Sequence, residues 1–345
     1  MSDVKKNVSI NGLKVAFIAD DIKNLTEFEF FHNATFALML AAQELNVKIL
    51  LTESNNLKII NNKVIARFDE VILNREVGNH LKVKLSSEYS LDSLNIIFAR
   101  KDPPVDENYI SYLQTLCLLS DKQTNNQQLP FIVNKPEGIL KANEKLYALN
   151  FPNFIPPTLV SSKKTEFLDF LNEYKEVVLK PLFKNSGEGV LYLNKNDKNA
   201  SQILEANLQS DIRMLLVQKY IPDVMGGDKR IILLNGVPIG AILRIPKAGE
   251  FRANIHRGAS VAAYELSKRD LEICEALKPC LVRDGLYFTA IDIIADYLIE
   301  VNVTCPAGIQ EVENLTGKPL SKMIVEWVIE TAVSPQQSAV NKVYS

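Results

Sequence analysis

Histidine is scarce in this 345-residue sequence: only His32, His80 and His256 occur, far apart from one another. Zinc sites need clustered His and Cys ligands, so this spread suggests none. Cysteine is nearly as sparse. Cys117, Cys274, Cys280 and Cys305 form no C-x-x-C pair, and Cys117 and Cys274 fall in apolar helical patterns, where an inert buried thiol is the common outcome. No apolar run approaches the roughly 20 residues of a membrane-spanning helix. Residues 1–10 are polar and their lysines precede no apolar segment, which argues against a secretory signal. Charge of one sign is lacking too: 39 Lys+Arg against 41 Asp+Glu leaves a net charge of -2, with no polybasic run. Nothing here draws the chain to nucleic acid or to an anionic membrane surface. The expectation is a cytoplasmic protein without nucleic-acid or membrane partners.

What is present is an ordinary globular balance, 47% hydrophobic and 23% charged, over enough chain for two or three packed units. Short apolar runs at 14–20 (KVAFIAD), 47–52, 95–100 (NIIFAR) and 131–134 read as buried parallel strands. Helices at 33–45, N-capped by Asn33, and at 109–119 alternate with them, predicting an open α/β sheet over 12–130. Residues 53–94 read as a hairpin with connectors, and 121–128 (DKQTNNQQ) as a polar linker. Beyond it, 143–149 reads as helical and Pro152, Pro156 and Pro157 break the chain. Strands then dominate, at 177–180, 190–193, 214–220, 230–234 and 237–245, with Asn235-Gly236 as a hairpin turn. A helix at 266–281 opens on the capping box Ser267-x-x-Asp270. Strands at 289–294 and 297–303 and a helix at 320–332 come next, then a mobile polar tail at 334–345. The expected units are 12–130, 131–213, 214–333 and that tail. Apolar helix faces can pack across subunits as well as internally, and a homo-oligomer is expected.

The segment richest in chemistry is 290–309, AIDIIADYLIEVNVTCPAGI. Strand alternation puts Glu300 and Asn302 on one face, and Asp292 on the partner strand can point to the same side. Two carboxylates and an amide oxygen are hard ligands of the kind magnesium takes; a solvated sheet face has the same alternation. Lys180 ends an apolar strand ahead of a loop with Gly187 and Gly189, an arrangement that can hold a phosphate, although most such loops are only turns. Lys145 is a second phosphate candidate. The strand 214–220 runs into Ile221-Pro222, where backbone could meet an adenine ring or simply end. The stretch 246–258 (PKAGEFRANIHRG) is basic and holds two glycines, which suits either a lid over anionic substrates or a plain surface loop. Arg100 to Pro104 (RKDPP) lies at the C-terminal end of a parallel strand, where open α/β sheets bind ligands.

In this order, the motifs resemble the ATP-grasp superfamily, and over residues 14–329 the chain resembles prokaryotic glutathione synthetases. The phrases that carry it are FALMLAAQE at 36–44, RKDPP, IVNKP at 132–136, NEKL at 143–146, LKPL at 179–182, GDKR at 227–230, RIP at 244–246 and DII…EVNVT-x-P at 292–306. The resemblance implies a nucleotide held between two α+β subdomains behind an N-terminal α/β domain. It implies ligation of γ-glutamylcysteine to glycine, with ATP and Mg2+ (Mn2+ possible) as cofactors. Lys145, Lys180 and Gly187 would meet the ATP phosphates, Gln218, Lys219, Tyr220 and Ile221 the adenine, and Asp228 the sugar. Asp292, Glu300 and Asn302 would hold metal. Arg100, Arg230, Arg244 and Asn302 would lie near the acyl substrate and the transferred phosphoryl group, with Arg252, Asn254 and Gly258 as further substrate contacts. Phe183-Lys184 departs from the Asp-Gly of this family's glycine loop, which leaves a catalytically decayed nucleotide binder as an alternative. FRANIHRG at 251–258 resembles the ribosomal-protein glutamate ligases, so addition of glutamate to a peptide C-terminus is another.

Overall fold

The computed structural model describes residues 12–120 and 129–334. The expected linker at 121–128, the polar start and the tail beyond Ser334 lie outside them. Strand β1 (Lys14–Ile18) leads through α1 (Glu27–His32) into α2 (Ala34–Glu44). Asn33 caps α2 as expected, its side chain accepting from the Phe36 amide at 2.8 Å. The helix is buried from Ala34 to Ala42, more than one face, because it lies between the sheet and the last helix. Next in the chain are β2 (Lys48–Thr52), β3 (Lys58–Ile60), β4 (Lys63–Leu73) and β5 (Leu81–Ser90), the last two forming the long hairpin expected in 53–94. Then come β6 (Ile96–Ala99), α3 (Glu107–Ser120) and β7 (Phe131–Val133). Strands β2, β1, β6 and β7 pair in parallel in that order. Their C-terminal ends therefore share one edge, and Lys101 just beyond β6 ties that edge together by donating to Asp20 and Ser54, each at 2.8 Å.

Residues 143–149 differ from expectation. The α-helix is α4 (Pro136–Lys141), with Pro136 in its first turn; the Asn143 side chain then holds a turn, and a short 3-10 segment succeeds it. Strands β8 (Thr158–Ser161), β9 (Glu176–Pro181), β10 (Leu191–Asn194) and β11 (Leu215–Lys219) build a four-stranded antiparallel sheet. Two helices absent from the sequence reading cover it, α5 (Lys164–Tyr174) and α6 (Ala200–Leu208). A small core of their own, including Phe167, Leu171, Leu179 and Leu204, joins them to the sheet.

The third sheet is also antiparallel, ordered β14 (Ser260–Ala263), β13 (Val237–Ile245), β12 (Asp228–Leu234), β15 (Phe288–Ile294), β16 (Tyr297–Asn302). Asn235 and Gly236 turn β12 into β13 with φ of 50° and 71°, the left-handed values a tight hairpin requires. Helix α7 (Lys268–Arg283) starts on the expected capping box at Ser267 and Asp270. Helices α8 (Ile309–Thr316) and α9 (Leu320–Val333) complete the chain. Apolar residues of this sheet continue into the cores on both sides of the N-terminal sheet, so those two sheets form one packed body. Asn134 stitches it: the side-chain nitrogen donates to the carbonyls of Phe288 (2.7 Å) and Val303 (2.8 Å), and its oxygen accepts from the Phe288 amide (2.7 Å).

Candidate active site

A cleft of about 470 Å³ opens between the four- and five-stranded sheets and reaches the β6 edge of the N-terminal sheet. Every residue to which the resemblance assigned a role lines it except Gly258; Gly189 of the glycine loop also lies outside the lining. The charged floor results from strand register, because directly opposed residues in an antiparallel ladder share a face. Asp292 pairs with Arg230 on one side and Glu300 on the other, and Asp228 pairs with Arg244. Asp292 accepts from Arg230 Nε (2.5 Å) and Nη2 (2.8 Å) and lies 3.0 Å from Arg244 Nη2. Arg244 Nη2 also donates to both Asp228 oxygens, at 2.6 and 2.7 Å. Burial opposes ionisation at both carboxylates. At Asp292 the two guanidinium groups win and hold it well below the usual carboxylate range; at Asp228 burial and the nearby Asp292 charge win, pushing it up to about 6. Even so, Arg244 Nε is buried without a hydrogen-bond partner among the described residues.

The opposite wall supplies the lysines. Lys180, at the end of β9, donates to Gln218 Oε1 at 2.6 Å, and Gln218 is steadied in turn by Thr158 (3.1 Å). Burial, reinforced by the Lys145 charge, lowers the Lys180 ammonium to about 8. Lys145 is buried; its Nζ lies 3.1 Å from Glu300 and donates to the Lys184 carbonyl at 2.7 Å. Two ammonium groups thus stand beside the carboxylate floor, Lys145 in direct contact with Glu300, an arrangement that suits a polyanion together with a metal ion. Asp292 and Glu300 bring two carboxylates to this floor. The Asn302 amide nitrogen is turned to the Ala290 carbonyl and to Asp292, both at 3.3 Å, which leaves Oδ1 as the atom it can offer. Two carboxylates and an amide oxygen are hard donors, the chemistry of a Mg2+ site, which takes one or two carboxylates and completes its shell with phosphate oxygens.

Two loops meet over the cleft. Arg252 and Arg257 of the 246–258 segment donate to the carbonyls of Gly187 (3.2 Å) and Ser186 (3.2 Å). Gly187 has φ of 68°, and a Cβ there would stand 2.7 Å from Asn254 Oδ1, so the loops close this tightly only with glycine. Tyr220 packs edgewise against Tyr192 and Phe251, which tilt against each other, making an aromatic rim next to the β11 exit. The amides of Lys219 and Tyr220 are taken by the carbonyls of Pro157 and Glu176, both at 3.0 Å.

Sequence reasoning missed Glu144. Its Oε1 accepts from the amides of Val303 (2.9 Å) and Thr304 (3.1 Å) and from the Thr304 hydroxyl (2.8 Å), fixing the chain just past Asn302. Burial, with Glu300 nearby, raises its pKa. The signal was its place beside Lys145, but a partner about 160 residues away is invisible in the chain. His32 and Glu311 were missed as well; both line the cleft, and His32 Nδ1 lies 2.7 Å from Glu311 Oε1.

The three-sheet arrangement recurs in solved structures. D-cycloserine synthetase DcsG matches with a TM-score of 0.62 at 13% identity, covering 91% of this chain and 99% of its own. A RiPP-associated ATP-grasp ligase from Chryseobacterium gregarium matches at 0.60 and 15%, covering 92% and 97%. At such identities the likeness defines the fold, which is that of the ATP-grasp ligases. Family profiles for the prokaryotic glutathione synthetase N-terminal domain and ATP-grasp domain match residues 13–139 and 144–317. The glutathione synthetase of Synechocystis sp. is 40% identical over 328 residues, 92% of this chain and 99% of that one. That of Coxiella burnetii is 38% identical over 302 residues, 87% and 91%. The chain belongs to the prokaryotic glutathione synthetase family, and it is an ATP-dependent ligase.

Proposed function

We propose that the protein joins the cysteinyl carboxylate of γ-glutamylcysteine to glycine, using ATP and forming glutathione, ADP and phosphate. A carboxylate oxygen attacks the γ-phosphorus and ADP leaves. The glycine amine, having lost a proton, then attacks the acyl carbon, and phosphate leaves with the oxygen that had attacked. Such chemistry needs positioning and charge neutralisation more than a protein nucleophile. Lys145 and Lys180 would bind the phosphates, with Tyr220 and Ile221 beside the base and Asp228 on the sugar side. Arg230 and Arg244 would neutralise charge on the phosphoryl group and acyl oxygen. Asp292, Glu300 and Asn302 would hold Mg2+, which supplies charge neutralisation for the phosphates. Arg252 and Asn254, by closing on the glycine loop, would keep water from the acyl phosphate.

The observation that carries this reading is the Arg244 guanidinium, clamped by two carboxylates on the cleft floor with Nε unpartnered, opposite two lysines. A buried donor without a partner is costly, and an anionic substrate would satisfy it. In this loop the Lys184 backbone carbonyl accepts from Lys145, and Gly187 has a left-handed backbone. A cytoplasmic setting and a homo-oligomer belong to the same reading. The test is ADP release over a grid of carboxylate (acyl-donor) substrates and amine acceptors. Release that needs both γ-glutamylcysteine and glycine is expected. Turnover indifferent to γ-glutamylcysteine, or glutamate preferred over glycine on a peptide C-terminus, would overturn it.

A further inference from the structure

The cleft wall built by α1, α2 and α8 carries charges that the chemistry above does not use. Arg100 is 3% exposed. Its Nε donates to Thr35 (3.0 Å), its Nη2 to the Pro306 carbonyl (2.9 Å), and its plane lies over the Phe288 ring. Its Nη1 has no partner among the described residues. Glu311 is 4% exposed in the first turn of α8. Pairing with His32 and the helix N-terminus accounts for a carboxylate there and for Oε1. Neither accounts for Oε2, which is buried and equally unpartnered. One unpaired donor of a cation and one unpaired acceptor of an anion thus belong to residues lining the same cleft. Both would be costly to leave so, unless a ligand of matching charges completes them.

We infer that Glu311 and Arg100 are the recognition pair for the α-amino-acid head of the acyl substrate, with Glu311 Oε2 accepting from its α-ammonium and Arg100 Nη1 donating to its α-carboxylate. His32 positions Glu311. This rests on the function proposed above. A γ-linked glutamyl residue keeps both α-groups free, so the pair selects the linkage as well as the residue. Arg100 and Glu311 are anchored by different helices, since Thr35 lies on α2 and His32 ends α1. Their spacing therefore comes from the packing of three helices rather than from a loop.

The experiment measures ADP release by wild type and Glu311→Gln with three acyl substrates: γ-glutamylcysteine, glutarylcysteine (no ammonium) and 4-aminobutyrylcysteine (no carboxylate). Wild type should disfavour glutarylcysteine by about 100-fold or more in kcat/KM, as sites with a buried charged partner do. Glu311→Gln should lose a comparable factor on γ-glutamylcysteine. On glutarylcysteine it should change by no more than about threefold, the mark of a coupled pair. The penalty against 4-aminobutyrylcysteine and the KM for ATP should stay as in wild type. Wild type using glutarylcysteine as well as γ-glutamylcysteine overturns the inference without any variant, and so does an equal loss on both substrates in Glu311→Gln. Wild type inactive on γ-glutamylcysteine overturns the proposed function itself, and the recognition pair falls with it.

Discussion

Asp292 is bound by two guanidinium groups and faces Glu300 across one ladder step, so the two arginines depend on its charge. Among the described residues, Asp292→Asn would leave Arg230 without a carboxylate in hydrogen-bond contact and Arg244 with Asp228 alone. Removing one partner from a buried ionic cluster costs about 3–5 kcal/mol. Urea unfolding should lose that much stability, and kcat should fall by at least about 100-fold, the scale of an electrostatic transition-state contact. Lys180 gives a pH signature. Its ordinary value is 10.5 and burial lowers it to about 8, so between these values the unfolded chain binds more protons than the folded one. Stability contributed by this group therefore rises with pH across that window. ATP binding runs the other way: phosphates favour the ammonium, so the KM for ATP should climb as pH passes about 8 in wild type. Lys180→Arg should flatten that climb, because guanidinium stays charged; a climb unchanged in Lys180→Arg would assign it to another group.

Among the elements, local chemistry decided what was legible. The Asn235-Gly236 hairpin, the Asn33 cap and the Ser267-Asp270 box are short-range signals, and all three stand as read. Helices α5, α6 and α8 have no side-chain cap, and the sequence reading passed over them. Helix α1 has a full capping box at Thr26 and Glu29 but spans six residues, too few for a periodicity to register. Helix 143–149 was misplaced because Pro136 and Asn143 are both plausible starts; Pro136 takes the first turn and Asn143 holds only a turn. Ser267→Ala should cost about 1 kcal/mol, as loss of a cap does, read by thermal melting. Phe167→Ala should cost about 3–5 kcal/mol by emptying a buried site in the separate core of the four-stranded sheet. Hydrogen exchange should locate that loss in α5, α6 and β8–β11, with the rest of the chain protected; loss spread evenly would mean the cores are not separate.

Across the whole molecule, the ordered motifs pointed to the fold and to the candidate residues, but not to how they meet. Lys145 and Glu300 are 155 residues apart and touch; Arg100 and Pro306 are 206 apart and share a hydrogen bond. Asp228, assigned to the sugar by resemblance, is held by both oxygens on Arg244, a contact set by the β12–β13 register. Gly258 was grouped with the substrate contacts, yet it does not line the cleft. Register and helix packing, which no local pattern records, make the cleft out of these parts. The central claim is activation of the γ-glutamylcysteine carboxylate by phosphoryl transfer within that cleft. The most direct measurement gives the enzyme γ-glutamylcysteine carrying 18O in both oxygens of its cysteinyl carboxylate, with ATP and glycine, and weighs the phosphate released. One 18O per phosphate is the predicted result; unlabelled phosphate released as the peptide product forms would contradict it.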